Sequence, residues 1–157
     1  MAELLKGAPV ARALTEELAI RCAALRERGV VPTLAIVRVG EREDDLSYER
    51  GALKRCEKVG IEARRVLLPA DVSQDDLLAA IEGINADSAV HGCLMFRPLP
   101  AGLDESVVAA ALDPTKDVDS MTPASLLTAL SGRGDGFAPC TAEAVLAILD
   151  HYGVELD

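Results

Sequence analysis

Aromatic side chains are scarce in this chain of 157 residues, which has two Tyr, two Phe and no Trp. A hydrophobic core must therefore be built from Ala, Leu, Val and Ile, and hydrophobic residues make up 50% of the sequence. The length is that of one domain, and a domain of this size buries enough surface to fold without disulfides or a structural metal.

Long apolar runs and an excess of basic residues are also missing. No run of about 18 apolar residues occurs, so the sequence predicts no membrane-spanning helix. The N-terminus lacks a basic segment followed by an apolar one and does not resemble a signal peptide. The net charge of −10 argues against nucleic acid or an anionic membrane as a partner, because both require a basic face. We expect a cytoplasmic protein.

Closely spaced cysteines are absent, and with them any zinc-finger or redox motif. We predict that the four isolated cysteines act as small hydrophobic side chains in a reducing compartment: Cys22, Cys56, Cys93 and Cys140. His91 and His151 are also isolated, and no metal site is predicted. The sequence leaves either histidine open to a role in a catalytic triad, although no G-x-S-x-G motif is present.

What the chain does have is an alternation of strand-like and helix-like segments. Strands are predicted at 33–39, 61–68 and 90–96, and helices at 8–28, 45–59, 73–84, 104–112, 123–130 and 141–152. The last of these helices is predicted to be capped by Thr141. Crossovers of about 20 residues between strands imply βαβ units. The predicted fold class is therefore α/β, a three-layer domain whose mainly parallel sheet is flanked by helices on both faces.

Ligands of such sheets bind at the carboxyl ends of the strands. Here those ends are 39–40, 68–69 and 96–100. The glycine-rich segment 131–136 follows no predicted strand and does not match G-x-G-x-x-G, so we interpret it as a flexible connection rather than a phosphate cradle.

Three stretches carry a resemblance to a known family: 47–60, 92–102, and 114–119 followed by Pro139-Cys140-Thr141. In this order they resemble the catalytic domain of the bifunctional methylenetetrahydrofolate dehydrogenase/methenyltetrahydrofolate cyclohydrolase family, over essentially the whole chain. The resemblance implies a FolD-like domain of the amino acid dehydrogenase type and a place in one-carbon metabolism. Members oxidise methylenetetrahydrofolate with NAD(P) and hydrolyse the methenyl product to 10-formyltetrahydrofolate. It further implies a possible homodimer.

The resemblance also implies binding residues. Tyr48 matches the family's Tyr, which is expected to stack on the aminobenzoyl ring of the folate. Asp119 matches the pteridine-binding Asp, and Thr141 would face the cofactor domain and contribute weakly. From the residues alone, Tyr48 could equally be an ordinary half-buried helix residue, and Asp117 and Asp119 could cap or solvate a loop. Lys116 reads as a solvated charge.

Four positions depart from the family pattern: Ala52 replaces the catalytic Lys, Phe96 its Gln partner, Arg97 a Leu and Ser120 a Gly. Ala52 has no group that could polarise the substrate or activate water. Phe96 beside a small Ala52 could also be compensated packing. We count Ala52, Phe96 and Arg97 with Tyr48 and Asp119 as lining residues of a substrate site.

Neighbouring cations do not replace the missing lysine. Lys54 lies six residues after Tyr48, roughly 240° around a helix, so it points elsewhere. Arg55 shares the Tyr48 face but stays charged and is a poor base. We therefore expect this chain alone to be inactive, and we expect an NAD(P)-binding Rossmann domain after residue 157. Three hypotheses stay open: the substrate domain of a divergent enzyme, a non-catalytic folate-binding paralogue, and an interaction module that reuses the fold.

Overall fold

The computed structural model describes residues 4–134 and 136–155 and is built around a three-stranded parallel sheet. Its strands are β1 (Thr33–Val39), β2 (Glu62–Leu68) and β3 (Gly92–Met95), arranged in the order β2-β1-β3. β1 pairs along its whole length with β2 and over four residues with β3. The predicted parallel sheet is confirmed, although β3 is shorter than the predicted segment 90–96.

Helices connect the strands and continue after the sheet. The described residues contain α1 (Gly7–Glu27), α2 (Glu43–Val59), α3 (Gln74–Ala86), α4 (Glu105–Ala111), α5 (Pro123–Ser131) and α6 (Cys140–His151), with one 3₁₀ turn at Pro114–Lys116. Within those residues, no helix has the length and apolar content that crossing a bilayer requires.

The two faces of β1 pack against different helices, because alternate side chains of a strand point in opposite directions. Ala35 and Val37 are fully buried in a cluster with Leu77 and Ile81 of α3. On the opposite face, Arg38 reaches Glu49 of α2. The sheet thus lies between two helical layers, as predicted, and these helices set the positions of the strand ends.

A buried ion pair joins α2 to the sheet. Nε of Arg38 donates to Oε2 of Glu49 at 2.8 Å, and both side chains are almost wholly excluded from solvent. Arg65 of β2 pairs with the other carboxylate oxygen of Glu49. Burial raises the pKa of Glu49, but the hydrogen bonds and charges of Arg65 and Arg38 outweigh it, so its pKa lies below the usual value.

The chain around α6 differs from the sequence predictions. α6 begins at Cys140 after Pro139, and no side chain caps it, so the predicted cap by Thr141 is wrong: this exposed residue lies inside the first turn. Cys22, Cys56 and Cys93 are buried as predicted, but Cys140 is exposed and donates from Sγ to the Val118 carbonyl at 3.2 Å.

The glycine-rich segment is not simply a loose connection. Gly132 has a positive φ of 65° and ends α5. A Cβ at Gly136 would lie 2.9 Å from Cα of Ser125, so the missing side chain permits the segment to pack against α5. Asp135 of this segment lies outside the described residues.

Candidate functional site

A cleft opens at the carboxyl end of β3, beside the first turns of α2. It has a volume of about 300 Å³, within the range of small-molecule sites. Tyr48 reaches it from α2, Phe96 and Arg97 follow β3, and Asp119 comes from the segment after the 3₁₀ turn. The fold therefore brings together four predicted site residues that are separated by up to 71 positions in the sequence (119 − 48).

The cleft has an aromatic wall. The rings of Tyr48 and Phe96 meet edge to face, with centroids 5.4 Å apart and planes at 88°. Phe96 is buried, whereas 63% of Tyr48 is exposed. The Tyr48 ring is thus held by one aromatic neighbour and keeps surface available for stacking on a planar ligand.

An ion pair lies across the cleft from these rings. Nη2 of Arg97 is 3.4 Å from Oδ2 of Asp119, and Nη1 is 3.4 Å from Oε1 of Glu105 in α4. Each side chain in this group is a little over one-third exposed. Sequence reasoning placed Arg97 and Asp119 at the site but missed both Glu105 and the pairing, for which the sequence offered no spacing signal.

The structure separates the two aspartates of the segment 117–119. Asp117 is fully buried and accepts backbone N–H bonds from Met121 (2.9 Å) and Thr122 (2.8 Å). Burial raises its pKa, but the donors from Thr122, Met121 and Ser125 more than offset this, and its pKa is lowered overall. Asp119 is half-buried and lines the cleft. Asp117 therefore caps the segment, and Asp119 is the carboxylate that a ligand can reach.

Ala52 lies next to this cleft rather than in it. A second, wider cleft of about 780 Å³ is lined by Ala52, Arg55, Tyr48 and Leu94. Asp44, Tyr48 and Leu94 line both clefts, so the two clefts adjoin at the Tyr48 ring, and together they are called the depression. Arg55 faces it as predicted, whereas the side chain of Lys54 lies toward α1 with Leu14 and Leu18.

Lys116 and Ser120 are explained by backbone geometry. The Lys116 ammonium donates to the carbonyls of Ile84, Asn85 and Asp87 at 2.7–2.9 Å, so its interpretation as a solvated charge is wrong: it caps the end of α3. Ser120 has a φ of 53°, a left-handed conformation that glycine adopts without strain. This conformation accounts for the glycine that the resembling family has there.

Two features were considered at the sequence level for a cofactor, Thr141 and the glycine-rich segment. Thr141 is exposed on α6 and lines neither cleft. The glycine-rich segment links two helices and packs on α5, whereas dinucleotide cradles join a strand to a helix. Within residues 4–134 and 136–155, no group of three or more His, Cys, Asp or Glu side chains could hold a metal ion.

The sequence and the fold both match known proteins. A family model described as tetrahydrofolate dehydrogenase/cyclohydrolase, catalytic domain, matches residues 5–119. The bifunctional protein FolD of Alkaliphilus metalliredigens is 47% identical over 156 residues, covering 99% of this chain and 55% of that protein. FolD of Clostridioides difficile is 45% identical, covering 98% of this chain and 54% of that protein. The chain spans about half the length of the curated relatives it matches.

Solved structures give the same result. The bifunctional FolD enzyme of Campylobacter jejuni superposes with a TM-score of 0.95 at 31% identity, over 99% of this chain and 55% of that one. The Trypanosoma brucei FolD, solved with NADP and an inhibitor, superposes with a TM-score of 0.88 at 32% identity, over 98% of this chain and 53% of that one. The chain belongs to the tetrahydrofolate dehydrogenase/cyclohydrolase family, as its catalytic domain.

Proposed function

We propose that these 157 residues form the folate-binding domain of a methylenetetrahydrofolate dehydrogenase/cyclohydrolase-like protein. One observation carries the proposal: Tyr48, Phe96, Arg97 and Asp119 line a single cleft at the carboxyl end of a parallel strand. An open cleft with an aromatic wall and a free carboxylate oxygen favours a small planar ligand. It weighs against the interaction-module hypothesis, in which Phe96 would fill the cleft.

The two ends of a folate match the two sides of the cleft. The exposed Tyr48 ring offers a surface for the aminobenzoyl group. The Asp119 carboxylate can accept from the 2-amino group and the ring N–H of a pterin in bidentate fashion. Among the described residues, Oδ1 of Asp119 accepts no hydrogen bond, and its other oxygen has only Arg97.

Proton transfer is the step that this chain lacks. Ala52 and Phe96 occupy the positions of the family's Lys and Gln, and neither has a group that donates or accepts a proton. Arg55 faces the depression beside Ala52, but a guanidinium is a poor general base. We therefore propose that the isolated chain neither oxidises methylenetetrahydrofolate nor hydrolyses its methenyl form.

The nicotinamide cofactor and the assembly state are carried over from the family only. A Rossmann domain following residue 157 would supply the NAD(P) site, as the family resemblance implies. Such a domain would close over the cleft and present the nicotinamide to the folate. A cytoplasmic location and a homodimer belong to the same proposal.

Calorimetric titration with 5,10-methenyltetrahydrofolate tests the folate site. We expect saturable binding by the wild-type chain, loss of binding in Asp119→Ala, and unchanged binding in the control Asp150→Ala. Asp150 is an exposed carboxylate near the far end of α6. No binding by a chain that circular dichroism shows to be folded would contradict the folate site and favour an interaction module.

A further inference from the structure

Arg97 gives this cleft a hydrogen-bond donor beside its acceptor. Nη2 of Arg97 is 3.4 Å from Oδ2 of Asp119, so both groups can contact one edge of a bound ring. A guanidinium has five N–H donors, and the bonds to Asp119 and Glu105 engage two of them. Its contacts with the described residues leave three donors for a ligand.

Glu105 holds this donor in place. Its Oε1 pairs with Nη1 of Arg97 at 3.4 Å, and its Oε2 accepts from the backbone N–H of Leu99 at 3.3 Å. Because Glu105 lies in α4, it links the Arg97 side chain to the segment that follows β3 and to a helix. A long side chain fixed at two points loses less entropy when it binds a ligand.

The other cation of the cleft, Arg42, contacts different groups. Nη1 of Arg42 donates to the Pro98 carbonyl at 3.0 Å, and its Nε is 3.6 Å from Oδ2 of Asp45. Among the described residues, Arg97 is the cation that pairs with Asp119. A donor acting next to that carboxylate is therefore Arg97.

An adjacent acceptor and donor match the edge of a 4-oxopterin. Along that edge the ring presents the 2-amino group and the N3–H, which are donors, and then the 4-oxo oxygen, which is an acceptor. A carboxylate satisfies the first two and a guanidinium the third. In a 2,4-diaminopteridine the third position carries an amino group, whose N–H bonds would face the N–H bonds of the guanidinium, and N3 has no hydrogen to donate to the carboxylate.

We propose that Arg97 is a specificity-determining residue that donates to the 4-oxo group of a bound pterin and disfavours 4-amino analogues. The proposal rests on the proposed folate site and adds a selectivity to it. The family has a leucine at this position. A leucine offers no donor to the 4-oxo oxygen, and it places no N–H bonds against those of a 4-amino group. The part of the selection that acts at position 4 is then a property of this chain's own departure from the family pattern.

Two reduced ligands test the proposal: tetrahydrofolate, and tetrahydroaminopterin, which has a 4-amino group in place of the 4-oxo group and no hydrogen on N3. Both are titrated without oxygen into the 157-residue chain. We expect the wild type to bind tetrahydrofolate at least about tenfold more tightly, the effect of one charged hydrogen bond. Arg97→Leu is expected to weaken tetrahydrofolate about tenfold and to leave tetrahydroaminopterin within about threefold. Arg97→Gln, which keeps a neutral donor, should retain part of the preference.

The outcomes separate the proposal from the folate site beneath it. Tetrahydrofolate binding with the same ligand preference in wild type and Arg97→Leu would overturn the role of Arg97 and leave the folate site standing. No tetrahydrofolate binding by folded wild-type chain would overturn the folate site, and the selectivity with it. Asp119→Ala removes the acceptor for the N3–H, which only tetrahydrofolate has, and should weaken tetrahydrofolate more than tetrahydroaminopterin. A ligand ratio that changes there but not in Arg97→Leu would assign the selectivity to Asp119 instead.

Discussion

Asp117 and Asp119, two residues apart in the segment after the 3₁₀ turn, have different roles. Asp117 is buried and holds the backbone of Met121 and Thr122, whereas Asp119 faces the cleft beside Arg97. Spacing alone could not assign these roles, because both fit a loop carboxylate. The resemblance placed Asp119 at the site, and the burial of Asp117 is what separates the two.

Restoring the family's lysine is expected to need a second change. Lys at position 52 would lie beside Tyr48 without the amide that the family places at position 96, so its ammonium would have no hydrogen-bond partner there. We predict that Ala52→Lys alone gives little methenyltetrahydrofolate hydrolysis, and that Ala52→Lys with Phe96→Gln gives more than the sum of the single variants. The loss of methenyl absorbance reports the rate.

The control for this pair is Lys54→Ala, which removes a lysine that faces α1 instead of the depression. Added to Ala52→Lys or to Ala52→Lys with Phe96→Gln, it should leave the rate of methenyltetrahydrofolate hydrolysis unchanged. Full activity of the single Ala52→Lys variant would show that the two positions are not coupled.

Among the helices, α2 is the one that positions the aromatic wall of the cleft. It carries Tyr48 and, at the next residue, Glu49, whose carboxylate is bound by Arg38 of β1 and Arg65 of β2. The buried pair therefore fixes α2 on the sheet next to the residue that lines the cleft.

Removing the buried pair should lower the free energy of unfolding far more than removing the half-exposed Arg65. Glu49→Ala leaves the Arg38 charge buried without its partner, and we predict a loss of about 3–5 kcal/mol in the free energy of unfolding. Arg65 is half-exposed, so Arg65→Ala should cost less than about 1 kcal/mol. Urea denaturation compares the two variants, and equal losses would contradict the assignment of the buried pair.

The positions of the strands and helices were largely predictable from the sequence, whereas the ion pairs and hydrogen bonds between their side chains were not. Apolar runs and glycine stops located the strands and helices, because burial and helix termination leave a local pattern in the sequence. The ion pair between Arg38 and Glu49 joins a strand to a helix, and the contacts of Lys116 with α3 span about 30 residues. No local pattern encodes such distances, so a buried arginine in β1 and a capping lysine were missed.

For the whole molecule, acid is expected to be destabilising. The folded state lowers the pKa of several carboxyls through hydrogen bonds and nearby cations: Glu49, Asp87, Asp104, Asp113 and Asp117. A lowered folded pKa contributes stability above the unfolded value, and this stability is lost as the pH falls through the folded value. The free energy of unfolding should therefore be constant near neutral pH and decline below about pH 4.

Asp117→Asn measures how much the Asp117 carboxyl contributes to the loss of stability in acid. Its amide does not titrate, so the free energy of unfolding should fall less steeply below about pH 4 than in the wild type. Asp75→Asn, at an exposed carboxylate of α3, is the matched control and should keep the wild-type slope. An unchanged slope in Asp117→Asn would show that this carboxyl does not contribute.

The three-layer arrangement and the position of the cleft followed from the order of strands and helices, since ligands of parallel sheets bind where the strands end. The order of strands and helices could not show which helix faces remain exposed to solvent. Leu126, Leu127 and Leu130 of α5 have the side chains of core residues, yet they are 49%, 65% and 79% exposed. Residue type alone does not say which face of a helix meets a neighbour.

The closeness of Asp117 and Asp119 has a consequence for how such a domain can change over generations. A mutation that moves the backbone of this segment acts both on the ligand-facing Asp119 and on the anchor at Asp117, so ligand affinity and stability change together. Grafting only the ligand-contacting residue into another scaffold would transfer a carboxylate without its support. The unit that recombination or protein engineering has to move is therefore the whole stretch from Asp117 to Ser125.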